Sequence, residues 1–533
     1  MSDTSPRDTV PPPTPHPSVT PENAAALGTI DRNQSRLLLV SILVVAMCGI
    51  VYELIIGAIA SYLLGNSVLQ FSLTVGVFMF AMGMGSLFSR YLGNDLLRYF
   101  VWTEIAIALI GGVSGIALFM AFPFARVLFE FVMYGFIIVI GALVGLEIPV
   151  LTTLLARGKS TKESISEVLT LDYVGALLGS VLFPLVLLPS LGPIRSSFAI
   201  GLMNIGVALI SVVAFRHQLV QYRLMLATCV ATAVALCLAL VWGTWLGSFA
   251  EKHLYFDNVV FSEQTPYQNL VVTRSVTTGD TRLFIDGHIQ FSSRDEYRYH
   301  EYLVHPAMAV EGPRTNVLVL GGGDGLAVRE ILKYPDVERI DLVDIDPEMT
   351  RIHAELPMLR LLNEDSLQSD RLNVFHEDAF TFVNRPGVGY DRVIIDFPDP
   401  HNDAIGKLYS REFYTMVRRR TNPGAVVTTQ SSSPFYTRRV FWSIEATLGE
   451  VFESVTSYHT ALPSFGIWGF NMARHGAPLP ATYPIRVPTR SVSDESMLAS
   501  MVFDIDTGPL DDSPVNSIMQ PLLYRLYLDD VKK

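Results

Sequence analysis

"LVLGGGDGLAVRE", Leu318 to Glu330, joins an apolar run to a helix-like run through three glycines, an aspartate and a fourth glycine. A buried strand that enters a helix through glycines is the turn that cradles a nucleotide at the edge of a parallel α/β sheet. Asp324 is the odd member, because a carboxylate repels a phosphate. The turn therefore points to a nucleotide-like ligand with no phosphate and a positive tail.

Strand patterns surround this turn. "TNVLVL" (315–320) precedes it, and "VERIDLVDID" (337–346), "RLNVFHEDAF" (371–380), "YDRVIIDFPDP" (390–400) and "GAVVTTQ" (424–430) follow, with helical runs such as "LAVREILKY" (326–334) interspersed. The alternation predicts a doubly wound parallel sheet open to a ligand at its carboxyl edge, where Asp344, Asp378 and Asp396 fall. Asp344 lies 23 residues after Gly321, close to the spacing at which an acid meets ribose hydroxyls. A glycine turn with such an acid is shared by dehydrogenases and methyltransferases. Upstream, "LVVTRS" and "TRLFID" bracket "TTGD" and predict a β-hairpin region. His300 follows it, crowded by Asp295, Glu296, Tyr299 and Glu301.

Composition divides the chain. Half of its 533 residues are hydrophobic and 17% are charged, and the mean hydropathy is +0.35. Seven stretches, near 36–57, 68–89, 99–121, 127–151, 167–190, 196–215 and 224–247, reach the roughly 20 apolar residues that a bilayer crossing needs. Small residues in "AMGMGSLFS" (81–89) and "GALLGSVLF" (175–183) suit close helix packing. Glu53, Glu104, Glu130, Glu147 and Asp172 are carboxylates inside this apolar half; either some sit near interfaces while others accept hydrogen bonds inside the bundle, or they line a cation path. The first 250 residues balance twelve acids with twelve bases, so the whole net charge of −12 belongs to the remainder. That balance argues against nucleic acid and favours a cationic partner. Cys48, Cys229 and Cys237 all sit in apolar runs and offer neither a disulfide framework nor a metal site. No His/Cys/Asp spacing suggests a metal.

From about 254 to 475 the chain resembles the spermidine synthases, the polyamine aminopropyltransferases, and as a whole their membrane-integral branch. The resemblance rests on "YQ", "DGHIQ…DEYRYHE", "VLVLGGGDGLAVRE", "DIDPE", "EDAF", "YDRVIIDFPDP" and "TQSSSP", in the family's order. It implies a Rossmann-like domain of the S-adenosylmethionine-methyltransferase type behind a multi-span helical domain. It also implies transfer of an aminopropyl group from decarboxylated S-adenosylmethionine, a co-substrate, to putrescine or a similar amine, with no prosthetic group. Asp396 would be the general base. Gln268, Gln290, Tyr299 and His300 would line the donor and amine sites, Asp324 would hold the aminopropyl ammonium, and Asp344 the ribose hydroxyls. Asp378, with Ala379 beside it, would meet the adenine, Asp399 the acceptor amine, and Gln430 the site wall. Gly321, Gly322, Gly323 and Gly325 would form the turn. Two features depart from the family pattern: bulky Phe397 and Pro398 between the two acids, and Phe465 where a tyrosine commonly serves the amine.

The expected organisation is a Pro-rich disordered tail (1–33), a transmembrane domain (34–250), a β-rich segment (251–310), the Rossmann-like domain (311–485) and a C-terminal extension (486–533) with a helix around 514–527. The bilayer is an expected partner, and a homo-oligomer is compatible with the sequence. The inner membrane is the expected location. The donor's cytosolic origin puts the catalytic half in the cytoplasm, whereas seven crossings with basic residues inside put it outside. The other readings are a membrane polyamine transporter or sensor with a non-catalytic synthase-like half, and another S-adenosylmethionine-dependent transferase.

Overall fold

The computed structural model describes residues 32–531 except 65–66, 125–128, 158–159 and 244–254. The Pro-rich tail up to residue 31 lies outside the described residues, as does the end of the last expected span (244–247); Arg32 and Asn33 already belong to a helix. The apolar half forms α1 (Arg32–Leu64), α2 (Ser67–Phe88), α3 (Leu96–Phe124), α4 (Phe129–Leu155), α5 (Thr161–Leu182), α6 (Leu188–Ala214) and α7 (Tyr222–Val241). These make 6 continuous runs long and apolar enough to cross a membrane, because a π-helical turn at Phe183–Leu187 joins α5 to α6.

The joined run is not a single rod. Gly175 and Gly179 of α5 meet Leu43 and Met47 of α1 in ascending order. In α6 the order reverses, with Ala214 against Gln34 and Ile200 against Cys48. The chain therefore doubles back, at Gly192 with φ 68°, and the Ser196 hydroxyl reaches the Leu187 carbonyl at 3.2 Å. Seven expected spans thus correspond to seven helical segments. Close packing depends on missing side chains: a Cβ on Gly85 would lie 1.9 Å from the Ala142 carbonyl oxygen, and one on Gly145 2.0 Å from that of Met82.

Beyond the bundle, β1 (Asn258–Gln264), β2 (Asn269–Arg274), β3 (Thr281–Ile285) and β4 (His288–Ser292) form an antiparallel sheet in sequential order. The expected hairpin is β2–β3, with Arg274 opposite Thr281; β1 and β4 extend it into a four-stranded sheet. One phenol pair links the halves: Tyr62 at the end of α1 lies 3.3 Å from Tyr255, whose ring packs on Phe284 of β3.

The larger unit runs through α8 (Glu296–Ala309), β5 (Asn316–Gly321), α9 (Leu326–Ile331), β6 (Arg339–Asp344), α10 (Pro347–Glu355), β7 (Leu372–His376), α11 (Ala379–Asn384), β8 (Tyr390–Asp396), β9 (Thr421–Gln430), α12 (Arg438–Gly449), β10 (Ser454–Leu462), β11 (Gly466–Arg474) and α13 (Leu523–Val531). Its seven strands lie in the order β10-β11-β9-β8-β5-β6-β7. Strands β5 to β9 are parallel, as expected. The expectation of a wholly parallel sheet is corrected, because β10 and β11 form an antiparallel hairpin at one edge. Only three residues separate them, too few for a parallel crossover, and Gly466 (φ 85°) turns the chain without the Asn-Gly signal of a short hairpin.

Side chains of β5 alternate between two cores, which explains its unbroken apolar run. Val317 and Val319 pack in one cluster with Leu303 and Ala307 of α8. Leu318 and Leu320 pack in the other with Ile395 and Phe413. Since β6 and β8 flank β5 on opposite sides, the strand order reverses there and opens a crevice at the carboxyl ends. The expected C-terminal helix is displaced: it spans Leu523–Val531, while residues 514–522 form an irregular segment anchored by Asn516 to the carbonyls of Gly406 and Tyr409.

Candidate active site

The crevice begins where β5 ends. Gly321 (φ 79°) and Gly322 (φ 67°) adopt the left-handed backbone that favours glycine. A Cβ on Gly321 would also lie 2.1 Å from the Asp396 carbonyl oxygen, so the turn is tucked against the end of β8. Asp324 spends one oxygen on the Leu326 amide (2.9 Å) at the start of α9. At the end of β6, Asp344 accepts from the amides of Gly323 and Asp346, both at 2.9 Å. Burial still pushes its pKa up to about 6 against those bonds. Asp346 receives the Thr265 hydroxyl (2.8 Å) and the Gln268 amide (3.0 Å), pinning the small sheet across the crevice.

Helix α8 delivers the next two groups. The Tyr299 hydroxyl donates to Asp396 Oδ1 at 2.6 Å, and burial holds that phenol well above its ordinary pKa, so it remains a donor. His300 places Nδ1 3.0 Å from Glu296 Oε2 and Nε2 4.0 Å from Asp396 Oδ2. Glu296 is fixed in turn by both terminal nitrogens of Arg329, at 2.9 Å each. Burial opposes a charge on His300, but the Glu296 hydrogen bond and the neighbouring carboxylates of Asp324, Glu296 and Asp396 raise it to about 9. The ring is an imidazolium at neutral pH. Asp396 is pushed up to about 6 by burial, with Asp324 adding to the rise and His300 and Tyr299 opposing it. Ring nitrogen and carboxyl oxygens of His300, Asp324 and Asp396 all lie within 4.8 Å of one another, so the three side chains meet at one point.

One cavity of about 550 Å³ gathers the sequence-derived residues. Gln268, Gln290, Tyr299, His300, Asp324, Asp344, Asp378, Ala379, Asp396, Asp399 and Gln430 all line it, as do Gly321, Gly322 and Gly323. Gly325 does not; it sits behind the turn at φ 77° as the cap of α9. Three side chains are more committed than the sequence implied. Gln430 donates to the Phe397 carbonyl (2.7 Å) and Tyr409 (2.5 Å) and accepts from the Ser432 amide (2.8 Å), so it braces the loop after β8. Asp378 caps α11 through the Phe380 amide (2.8 Å) and pairs with Lys407 (2.9 Å). Gln290 donates to the His288 carbonyl at 3.3 Å. Bulky Phe397 packs edge-on against Tyr409 and Phe413, so its size is absorbed by the core.

Several wall residues escaped the sequence reading. His288 and His401 face each other with centroids 5.0 Å apart, and burial lowers His401 to about 4, with His288 adding to the fall. Lys407 carried no motif. Trp468 stands three residues after Phe465, and both line the cavity. Tyr527 arrives from α13, at the end of the helix expected around 514–527 but outside every motif.

Comparison with known proteins fits this geometry. The Spermine/spermidine synthase domain family matches residues 296–477. The polyamine aminopropyltransferase of Leptospira interrogans is 45% identical over 82% of this chain and 87% of its own. Polyamine aminopropyltransferase 1 of Streptomyces coelicolor is 42% identical over 93% and 94%. A crystal structure of spermidine synthase from Thermotoga maritima superposes with a TM-score of 0.42 at 23% identity, covering 46% of this chain and 84% of that one. Resemblance along nearly the whole length of the first two relatives, helical half included, makes this chain a member of the polyamine aminopropyltransferase family and an enzyme of aminopropyl transfer.

Proposed function

We propose that the enzyme moves the aminopropyl group of decarboxylated S-adenosylmethionine to putrescine or a closely similar diamine, yielding spermidine and methylthioadenosine. The observation that carries this reading is the Asp396 carboxylate, oriented by Tyr299 and flanked by His300 and Asp324 at the mouth of the glycine turn. An ammonium cannot attack carbon until it loses a proton. Asp396, with a pKa near 6, is ionised at neutral pH and so is able to accept that proton. The freed lone pair attacks the methylene beside the sulfonium, the carbon–sulfur bond breaks onto sulfur, and neutral methylthioadenosine leaves. Positive charge moves from sulfur to the new secondary amine, which the surrounding carboxylates stabilise.

The other roles follow from charge. Asp344 takes the ribose hydroxyls, and Asp378 with Ala379 meets the adenine. Asp324 attracts the donor's ammonium and repels the carboxylate of the undecarboxylated parent. Gln268, Gln290, His300 and Gln430 shape the walls, and Asp399 receives the acceptor. Burial raises Asp399 to about 7, with the nearby polar groups of Ser432, Gln430 and Tyr527 opposing the rise, which makes diamine capture sensitive to pH near neutrality. Purified enzyme incubated with labelled decarboxylated donor and a panel of amines is the test. Failure of every amine to gain label, with no methylthioadenosine released, would falsify the reading.

The 6 apolar helical runs are compatible with a membrane protein. We place it in the inner membrane with the catalytic half in the cytoplasm, where the donor is made. The distribution of basic residues favours the opposite side, since Arg90, Arg98, Arg157, Arg216 and Arg223 fall in segments one crossing away from the end that joins the catalytic half. A reporter fused after Lys533 decides: activity restricted to a periplasmic reporter overturns the placement.

A further inference from the structure

We propose that the C-terminal helix α13 completes the acceptor end of the cavity, where the Tyr527 hydroxyl and Asp399 together hold the distal ammonium of a diamine and so select its length. This rests on the aminopropyl transfer proposed above. The helix lies beyond residues 296–477, the part matched by the family domain, yet it returns to the site. Its position is over-determined. Asp530 receives both the Arg439 amide (3.1 Å) and its Nε (2.7 Å), and Leu523 is buried in the same core as Phe397 and Tyr409.

Those anchors fix Tyr527 in the wall of the cavity that Asp399 also lines, and α13 packs against Asp403–Gly406, just after Asp399 in the chain. Asp399 Oδ1 is buried and has no hydrogen-bond partner among the described residues. A diamine presents two cationic ends. The end nearest the donor gives its proton to Asp396, while the far end stays charged and needs oxygen atoms around it. Gln430 cannot serve, because its amide nitrogen and oxygen are both committed to the loop after β8. Asp399 supplies the charge and the neutral Tyr527 phenol supplies a lone pair. Phe465 and Trp468, whose rings pack at 5.2 Å, offer an apolar wall for the methylenes.

Steady-state kinetics of Tyr527→Phe with diamines of three, four and five carbons, and with butylamine, test this. The expected result is a KM for the preferred diamine raised about tenfold, the worth of one hydrogen bond to a charged group. The donor KM should move less than about twofold, and the preference for diamine over butylamine should shrink. Unchanged amine KM and length profile overturn the proposal. So does a donor KM that rises in parallel, since that marks a merely structural ring. Methylthioadenosine binding checks that the variant is folded. Tyr527→Trp, which keeps an aromatic ring without an oxygen, supplies the same comparison if Tyr527→Phe does not fold. A wild-type enzyme that labels no amine fails at the earlier step, the transfer itself, and is thereby distinguished.

Discussion

The two halves of the molecule bury carboxylates in opposite ways. In the catalytic half Glu301 is fully buried and accepts the amides of Arg490, Ser491 and Val492 at 2.6, 2.7 and 3.0 Å. Glu330 meets His305, Arg329 and Lys333, and Glu296 meets His300 and Arg329. Among the helices, Glu104 of α3 and Glu147 of α4 are equally buried, yet none of their four carboxyl oxygens has a hydrogen-bond partner among the described residues. Nearby, Tyr52 and Asn204 also leave polar atoms unmatched. A satisfied buried acid is scaffold that orients something else; an unsatisfied one is not committed by the fold. In the catalytic half Glu296 holds His300 beside Asp396, while Tyr299 donates to Asp396 directly.

The contrast can be tested from its strongest point outward. Asp396→Asn removes the proposed proton acceptor while keeping shape, and should lower kcat/KM by roughly a thousandfold with methylthioadenosine affinity retained. Asp324→Asn keeps the helix-capping oxygen and removes the charge. Discrimination between the decarboxylated donor and its parent should then fall by roughly tenfold or more, read by competition.

The pH profile sharpens the scaffold argument. Asp396 must be ionised to take a proton and Asp399 to hold the acceptor, so kcat/KM should rise as pH climbs through about 6 to 7. It should decline through about 9, where His300 loses its charge. Glu296→Gln, which removes the partner that holds the imidazolium, should move the alkaline limb down toward neutrality and leave the acid limb in place. Smallest of all, Glu104→Gln and Glu147→Gln should leave kcat/KM within about twofold, since neither reaches the cavity. A loss comparable to Glu296→Gln would mean that the helical half takes part in turnover.

Much of the site was legible because its chemistry is tied to strand ends. Glycines at 321–323 and acids at 344, 378 and 396 follow apolar runs, and the parallel order of those strands brings distant residues to one edge. What stayed hidden depends on tertiary packing. Gln430 reads as a wall residue until its three hydrogen bonds show it bracing a loop. The β10–β11 hairpin lacks a recognised turn dipeptide, so its strands did not stand out. Tyr527 lies in a nine-residue helix whose place is set by Asp530 and Leu523, and no local periodicity records what a helix will face after a long return. In the apolar half, seven segments were visible from hydropathy, but the reversal at Gly192 was not.

The glycine turn carries a practical consequence for redesign. Its curvature comes from Gly321, Gly322 and Gly325, each at positive φ, while Asp324 is absent from the strained positions. Backbone shape and side-chain charge are thus supplied by different residues. Under the proposed donor role, position 324 is open to side chains that keep an oxygen for the Leu326 amide, so that a change of charge there alters which sulfonium donor is welcomed without asking the loop to refold. Libraries seeking transferases for unnatural alkyl donors have a natural starting point at that one residue.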